Sequence, residues 1–264
     1  MPYAPTHTAA PAPENGPRHD MTRHNTPLIA VAHGSRDPRA ATTVEALLRR
    51  VRRARPGLAV RAAYLDHSVP TLGQALKGLD EAVVLPLLLT AAFHSKVDIP
   101  TALHEAELGT PLRRVHYGPT LGPHPLLVRA LERRLEEAGV LVGDPSTAVV
   151  LVSAGSSDPA ANATIAAMAR DWSAERGWWS VTPAYASAAS PSPEQEVTRL
   201  LRSGAPRVVV APYLLAPGYF SDKVRRATLA AGATSVADVL GDAPEVAAVL
   251  LERHHQALPV LAPR

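Results

Sequence analysis

A chain of 264 residues, 46% apolar and 19% charged, has material for one large or two ordinary domains, and its lack of cysteine excludes disulfides, thiolate nucleophiles and cysteine-held metal sites. No apolar run approaches the roughly 18 residues of a membrane span, so the expectation is a soluble, cytoplasmic protein with no membrane partner. The formal charge of +3 and a pI near 9.4 raise nucleic acid as a partner, but 4% aromatic residues and no recognition motif argue against it, and LLRRVRRARP (47–56) reads as a solvated helix face.

Residues 1–26 are rich in Pro, Ala, Thr and His, lack a basic start or an apolar stretch, and read as a disordered tail rather than a signal peptide. A strand LIAVAH (28–33) follows, then a helix from Pro38 to about Ala54 and a strand in LAVRAAYLD (58–66). Next come a helix starting near Pro70, a strand AVVLPLLL (82–89), a helix over 97–108, a strand RRVHYG (113–118) and a helix over 124–138. Short Val- and Leu-rich runs separated by amphipathic helices indicate parallel strands covered on both faces.

The order restarts after VGDPS (142–146). TAVVLVSAG is followed by a helix from Pro159, WWSVTPAYAS (178–187), a helix over 193–203, and RVVVAPYLL (207–215). A helix over 221–231, TSVADVLG (234–241) and a helix over 244–255 complete it. The fold class is therefore α/β: two tandem (βα)4-type domains, each a mainly parallel sheet flanked by helices, over 27–143 and 144–258, with 1–26 as the tail.

Spacing supports duplication. AHGSRDP (32–38) matches AGSSDP (154–159), AYLDHSVP (63–70) matches AYASAASP (184–191), and LPLLLTAAFHSK (85–96) matches APYLLAPGYFSD (211–222) after a five-residue insertion in the helix and loop between. His33 thus faces Ala154, Asp66 faces Ser187, and His94 faces Phe220.

Ligands of parallel α/β sheets bind beyond the carboxyl ends of the strands. His33, Asp66 and His94 end or follow three such strands, and two imidazoles with one carboxylate suit a divalent first-row metal while leaving positions open for a substrate. The second half has lost all three, which points to a single site in a cleft between the halves. Gly34, Asp37 and Pro38 have structural jobs: a tight turn, an N-cap and the first helical position. Ser35 with nearby amides either holds a substrate carboxylate or stabilises the turn. His67 adjoins Asp66 and stands as an alternative ligand, His104, His116 and His124 are read as solvated, and His254 and His255 as a solvated helix end.

AHGSRDP, AYLDHSVPTL and LPLLLTAAFHSKVDIP resemble the motifs of the sirohydrochlorin chelatases, a class II chelatase family, over nearly all of residues 28–255. The resemblance implies a chelatase-like fold in its two-domain form with a degenerate second half. It also implies insertion of Fe²⁺ (favoured) or Co²⁺ into sirohydrochlorin for sirohaem or cobalamin synthesis, the metal being a substrate and no organic cofactor taking part. His33 and His94 would be the two metal-binding and catalytic histidines, with His33 as first choice for the base. Asp66 stands where the family usually shows Glu. Sirohydrochlorin carries eight carboxylates, which makes Arg36 and Lys96, with Lys223, candidates beside Ser35 for holding the substrate. Both domains lie in one chain, so a monomer or a homodimer is compatible with function. A histidine phosphatase would place Arg before the strand-end histidine where this chain has Ala32, and leaves the duplication unexplained. A non-catalytic tetrapyrrole- or metal-binding carrier is the competing reading.

Overall fold

A computed structural model of the chain describes residues 25–90, 99, 101–104 and 114–259. The first half runs β1 (Leu28–Ala32), α1 (Pro38–Ala54), β2 (Val60–Tyr64), α2 (Leu72–Leu76), β3 (Glu81–Pro86), β4 (Arg114–Tyr117) and α3 (Pro125–Glu137). The second runs β5 (Thr147–Ser153), α4 (Pro159–Glu175), β6 (Ser180–Tyr185), α5 (Pro193–Arg202), β7 (Arg207–Tyr213), α6 (Tyr219–Ala230), β8 (Ser235–Val236) and α7 (Pro244–Ala257). Ile99 and residues 101–104 are helical and belong to the helix expected over 97–108.

Each half forms a four-stranded parallel sheet, in the orders β2-β1-β3-β4 and β6-β5-β7-β8. Every residue of β1 is buried because both faces of the sheet are covered. Leu28, Ala30 and Ala32 face a core shared with the second half, whereas Ile29 and Val31 pack beneath α2 with Leu72, Leu76 and Ile99. β5 divides the same way, Val149 and Leu151 entering the shared core and Ala148, Val150 and Val152 packing with Val197 and Leu200 of α5. The shared core joins Leu47, Leu48 and Leu131 to Met168, Trp172, Tyr213 and Leu250, so the two halves close on one another through apolar contact.

The helices start where their sequences say they should. Asp37 caps α1 by accepting from the Arg39 N–H at 2.9 Å, and Asp158 caps α4 from the Ala160 N–H at 2.9 Å, each with proline in the first turn. Val44, Leu47, Leu48 and Val51 form the buried stripe of α1 at helical spacing. α2 and α5 both open on a capping box, Thr71 with Gln74 and Ser192 with Gln195. In register, Val31 faces Pro86 and Val152 faces Pro212. With caps and strands thus matched, the insertion falls inside one helix, α5 having 10 residues where α2 has 5.

The helix expected near Pro70 begins at Leu72, because Thr71 is its cap. The strand in 234–241 is only Ser235–Val236: Ala237 still donates to Val210, but Leu240 and Gly241 skip ahead to the carbonyls of Leu214 and Leu215, which breaks the ladder. α6 begins at Tyr219, which puts Phe220 in its first turn. His254 is fully buried rather than solvated, its Nε2 lying 2.8 Å from the Thr26 carbonyl oxygen and fastening α7 to the start of β1. Among the described residues no helix is long and apolar enough to cross a membrane.

The chain leaves β1 toward β2 on one side and returns to β3 on the other, so the connections diverge above β1 and β3 and leave a crevice at their carboxyl ends. β5 and β7 repeat this arrangement in the second sheet.

Candidate active site

The loop after β1 lies against the loop after β2. Leu65 and Asp66 donate their N–H groups to the carbonyls of Ala32 and His33 at 3.1 and 2.9 Å. Gly34 has φ +96, and a Cβ there would overlap the Asp66 carbonyl. Only glycine fits such an approach at that backbone angle. The two loops therefore bring His33 and Asp66 to one rim, where both are exposed.

The carboxylate of Asp66 turns toward its neighbour: Oδ1 accepts from the His67 N–H at 2.8 Å, and Oδ2 lies 3.1 Å from His67 Nε2. His67 stands in the left-handed region at φ 57, which lets its ring fold back onto that carboxylate. Asp66 and His67, read from sequence as alternatives, form one pair. Ser35 holds the turn: its Oγ accepts from the Asp37 N–H at 3.1 Å, and its carbonyl accepts from the Ser68 hydroxyl at 3.3 Å. Arg36 is exposed on the same loop, and Lys223 is exposed on α6. His94 and Lys96 lie outside the described residues. Among the described residues no three His, Asp or Glu side chains form a metal-binding cluster.

His33 lines a cleft of about 370 Å³ between the two halves. Its floor is Tyr64, Leu87 and Leu88 of the first half, and its far wall is the segment Leu214 to Ser221 of the second. In the aligned halves Phe220 stands in place of the histidine at 94. In the fold, Phe220 and Tyr219 line the His33 cleft edge to face, with ring centroids 5.7 Å apart, and both remain exposed. Tyr64 was also missed, although its match with Tyr185 in the repeated AY was a usable signal.

Arg39, at the start of α1, bridges the halves near this cleft, pairing with Asp37 and with Asp222 of α6, each at 2.6 Å. Its hydrogen bonds to the two carboxylates hold Asp37 and Asp222 below the ordinary range and raise its own pKa. Asp222 corresponds to Lys96, and Arg39 to Ala160, so this bridge belongs to the His33 side alone.

A second cleft repeats the first by pseudo-twofold symmetry. Ala154, Gly155, Ser156 and Ile165 line it where His33, Gly34, Ser35 and Val44 line the first. Gly155 has φ +84 and meets the Ser187 carbonyl as Gly34 meets Asp66. The Ser187 hydroxyl bonds the Ala154 carbonyl at 2.9 Å, so the position of Asp66 has become part of the scaffold.

The family model CbiX matches the chain twice, over residues 27–138 and 148–257. The chain is 31% identical over 198 residues to the sirohydrochlorin cobaltochelatase of Priestia megaterium, covering 72% of this chain and 64% of that protein. It is 29% identical over 203 residues to the sirohydrochlorin ferrochelatase of the same organism, covering 75% and 76%. The chain thus spans just under two thirds of the first relative and about three quarters of the second. SirB from Bacillus subtilis with Fe³⁺ has the same fold, with a TM-score of 0.74 at 24% identity over 89% of this chain and 96% of that one.

Proposed function

The chain belongs to the CbiX family, and on that premise we propose that it inserts a divalent metal ion into sirohydrochlorin, with His33, Asp66 and His94 as the metal-binding set. The observation that carries this reading is the unequal pair of clefts: the same loops and glycines frame both, and one has His33 where the other has Ala154.

Insertion replaces two pyrrole protons by one M²⁺ ion, so the macrocycle must lose both protons as the metal sheds its water. Neutral imidazole, with an ordinary pKa near 6.5, serves both needs at neutral pH. His33, exposed at the rim of the cleft, is the base that accepts a pyrrole proton, and His94 delivers the metal with Asp66. The Asp66–His67 pair gives the carboxylate a fixed orientation and a neighbouring group to which a proton can pass. Tyr219 and Phe220 present flat apolar surface to the macrocycle, while Ser35, Arg36 and Lys96 address its carboxylates.

Two imidazoles and a carboxylate accept both Fe²⁺ and Co²⁺. The relatives bearing the two activities differ by only two points of identity, 31% and 29%, and so favour neither metal. The functional units are 27–143, which carries the chemistry, and 144–258, which supplies the opposite wall. One copy of the chain contains both walls, so a monomer suffices.

The test is the absorbance change when sirohydrochlorin and Fe²⁺ or Co²⁺ are mixed with the purified chain in the absence of oxygen. Acceleration over the spontaneous reaction is expected with at least one metal. Tight binding of sirohydrochlorin without acceleration would instead make the protein a carrier.

A further inference from the structure

The two clefts also differ at a helix position that the metal set leaves unexplained. Ala41 of α1 lines the His33 cleft between Ala40 and Val44, and its counterpart on α4 is Asn162, between Ala161 and Ile165. Asn162 closes its own loop. Its Oδ1 accepts from the Ser156 N–H at 3.1 Å, and its Nδ2 donates to the Ser156 carbonyl at 2.7 Å. The carbonyl of Asn162 in turn accepts from the Tyr185 hydroxyl at 3.0 Å.

Alanine has no side-chain group to bond the serine loop as Asn162 does. In the first half the corresponding N–H, that of Ser35, has no partner among the described residues, and neither does the hydroxyl of Tyr64. Tyr64 is nevertheless only 4% exposed and faces the cleft. Burial, reinforced by the nearby Glu45 carboxylate, raises its phenol, which therefore remains a donor. Both donors stand at the wall of an open cleft, where an entering ligand can take them up in place of water. Both groups donate, so they call for an anion or a carbonyl oxygen.

We infer that the Ser35 N–H and the Tyr64 hydroxyl hold one carboxylate of the tetrapyrrole substrate, and that Ala41 is the specificity-determining position that keeps the Ser35 amide open. Asn162 Oδ1 occupies in the second cleft the place of a carboxylate oxygen, so that cleft has been closed to substrate as well as stripped of its histidine. This rests on the proposed chelatase function for the identity of the ligand, whereas the capture of the serine amide by asparagine does not.

The experiment compares Ala41→Asn, Ala41→Leu and Tyr64→Phe with the wild-type full chain by three readouts: titration with metal-free sirohydrochlorin, Co²⁺ affinity, and hydrogen exchange at the Ser35 amide. Ala41→Asn is expected to weaken sirohydrochlorin binding about tenfold or more, the loss of a hydrogen bond to a charged group, while leaving Co²⁺ affinity unchanged and slowing exchange at Ser35. Ala41→Leu, of similar size without the amide, is expected to cost about threefold or less and to leave exchange unaltered. Tyr64→Phe is expected to raise KM about five- to tenfold at constant kcat. Equal losses from Asn and Leu, unslowed exchange in Ala41→Asn, or unchanged KM in Tyr64→Phe would overturn the inference. A wild-type chain that fails to bind sirohydrochlorin would refute the proposed function and with it the ligand assigned here. Wild-type binding that survives Ala41→Asn would refute this inference alone.

Discussion

Gly34 and Asp66 touch through their backbones: the α-carbon of Gly34 stands so close to the Asp66 carbonyl that a methyl group there has no room, and its φ of +96 is unfavourable for any side chain. This contact sets the distance between the two loops that carry His33 and Asp66. Gly34→Ala is expected to destabilise the chain by about 2–4 kcal/mol, since both a strained φ and displaced backbone contribute. Gly155→Ala, which meets Ser187 in the same way, is expected to cost a similar amount. Chelation should fall steeply only in Gly34→Ala. Thermal unfolding and the insertion assay, run on both variants below their midpoints, check this; equal activity losses would detach the chemistry from the first half.

His33 is exposed and contributes little to packing. His33→Ala is therefore expected to leave the unfolding midpoint within about 2 °C of wild type while lowering metal insertion about a hundredfold or more. Ala154→His, at the equivalent place, should not add a second active cleft, because Asp66 and Ala41 there are replaced by Ser187 and Asn162. An active His33→Ala protein with unchanged kcat would remove His33 from the mechanism.

Arg39 is shared between Asp37 and Asp222 near the mouth of the His33 cleft. Asp222→Asn removes a negative charge there and leaves Arg39 freer to face a polyanionic substrate. KM for sirohydrochlorin is expected to fall about two- to threefold at low ionic strength, the difference fading toward 0.5 M salt, with little change in unfolding temperature because the pair is exposed. A salt-independent change in KM would contradict the electrostatic account.

Stability should fall in acid through identifiable carboxylates. Burial tends to raise the pKa of Glu132, but hydrogen bonds from Arg176, Trp172 and Arg129 outweigh it and hold the carboxyl below its ordinary range. Asp144 is lowered to about 2 by the N–H of Ser146 and the hydroxyls of Thr147 and Ser146, with Arg207 beside it. A carboxyl depressed in the folded state stabilises fully above its unfolded pKa and loses that contribution as pH falls toward the folded value. The unfolding midpoint is thus expected to hold above about pH 5 and to decline between about pH 4 and 2. Asp144→Asn should flatten the lower part of that decline. Glu132→Gln, which leaves the Arg176 charge without its partner in the shared core, should cost about 2–3 kcal/mol at neutral pH. A midpoint indifferent to pH from 5 to 2 would contradict both assignments.

Much of this molecule could be read from its residues in order. The repeated phrases located both sheets, the Asp-Pro pairs located the starts of α1 and α4, and the five-residue insertion resolved into the extra turn and more of α5 over α2. These features are local: caps, turns and alternating burial depend on neighbours within a few residues. The burial of His254 was not legible, because a polar helix end is solvated unless another element covers it, and Thr26 lies 228 residues away in sequence.

What the sequence alone determined was therefore the architecture and its asymmetry, a duplicated unit whose first copy holds His33, Asp66 and His94 and whose second holds Ala154, Ser187 and Phe220. Only the tertiary structure decided what faces what. It turned Phe220 from a missing ligand into part of the wall opposite His33, paired Asp66 with His67, and set Ala41 against Asn162 in matching clefts. The reason is physical. Local propensities fix which residues a strand or helix contains, whereas the relation of two clefts depends on how two sheets bury their apolar faces together, and that is settled by the shared core.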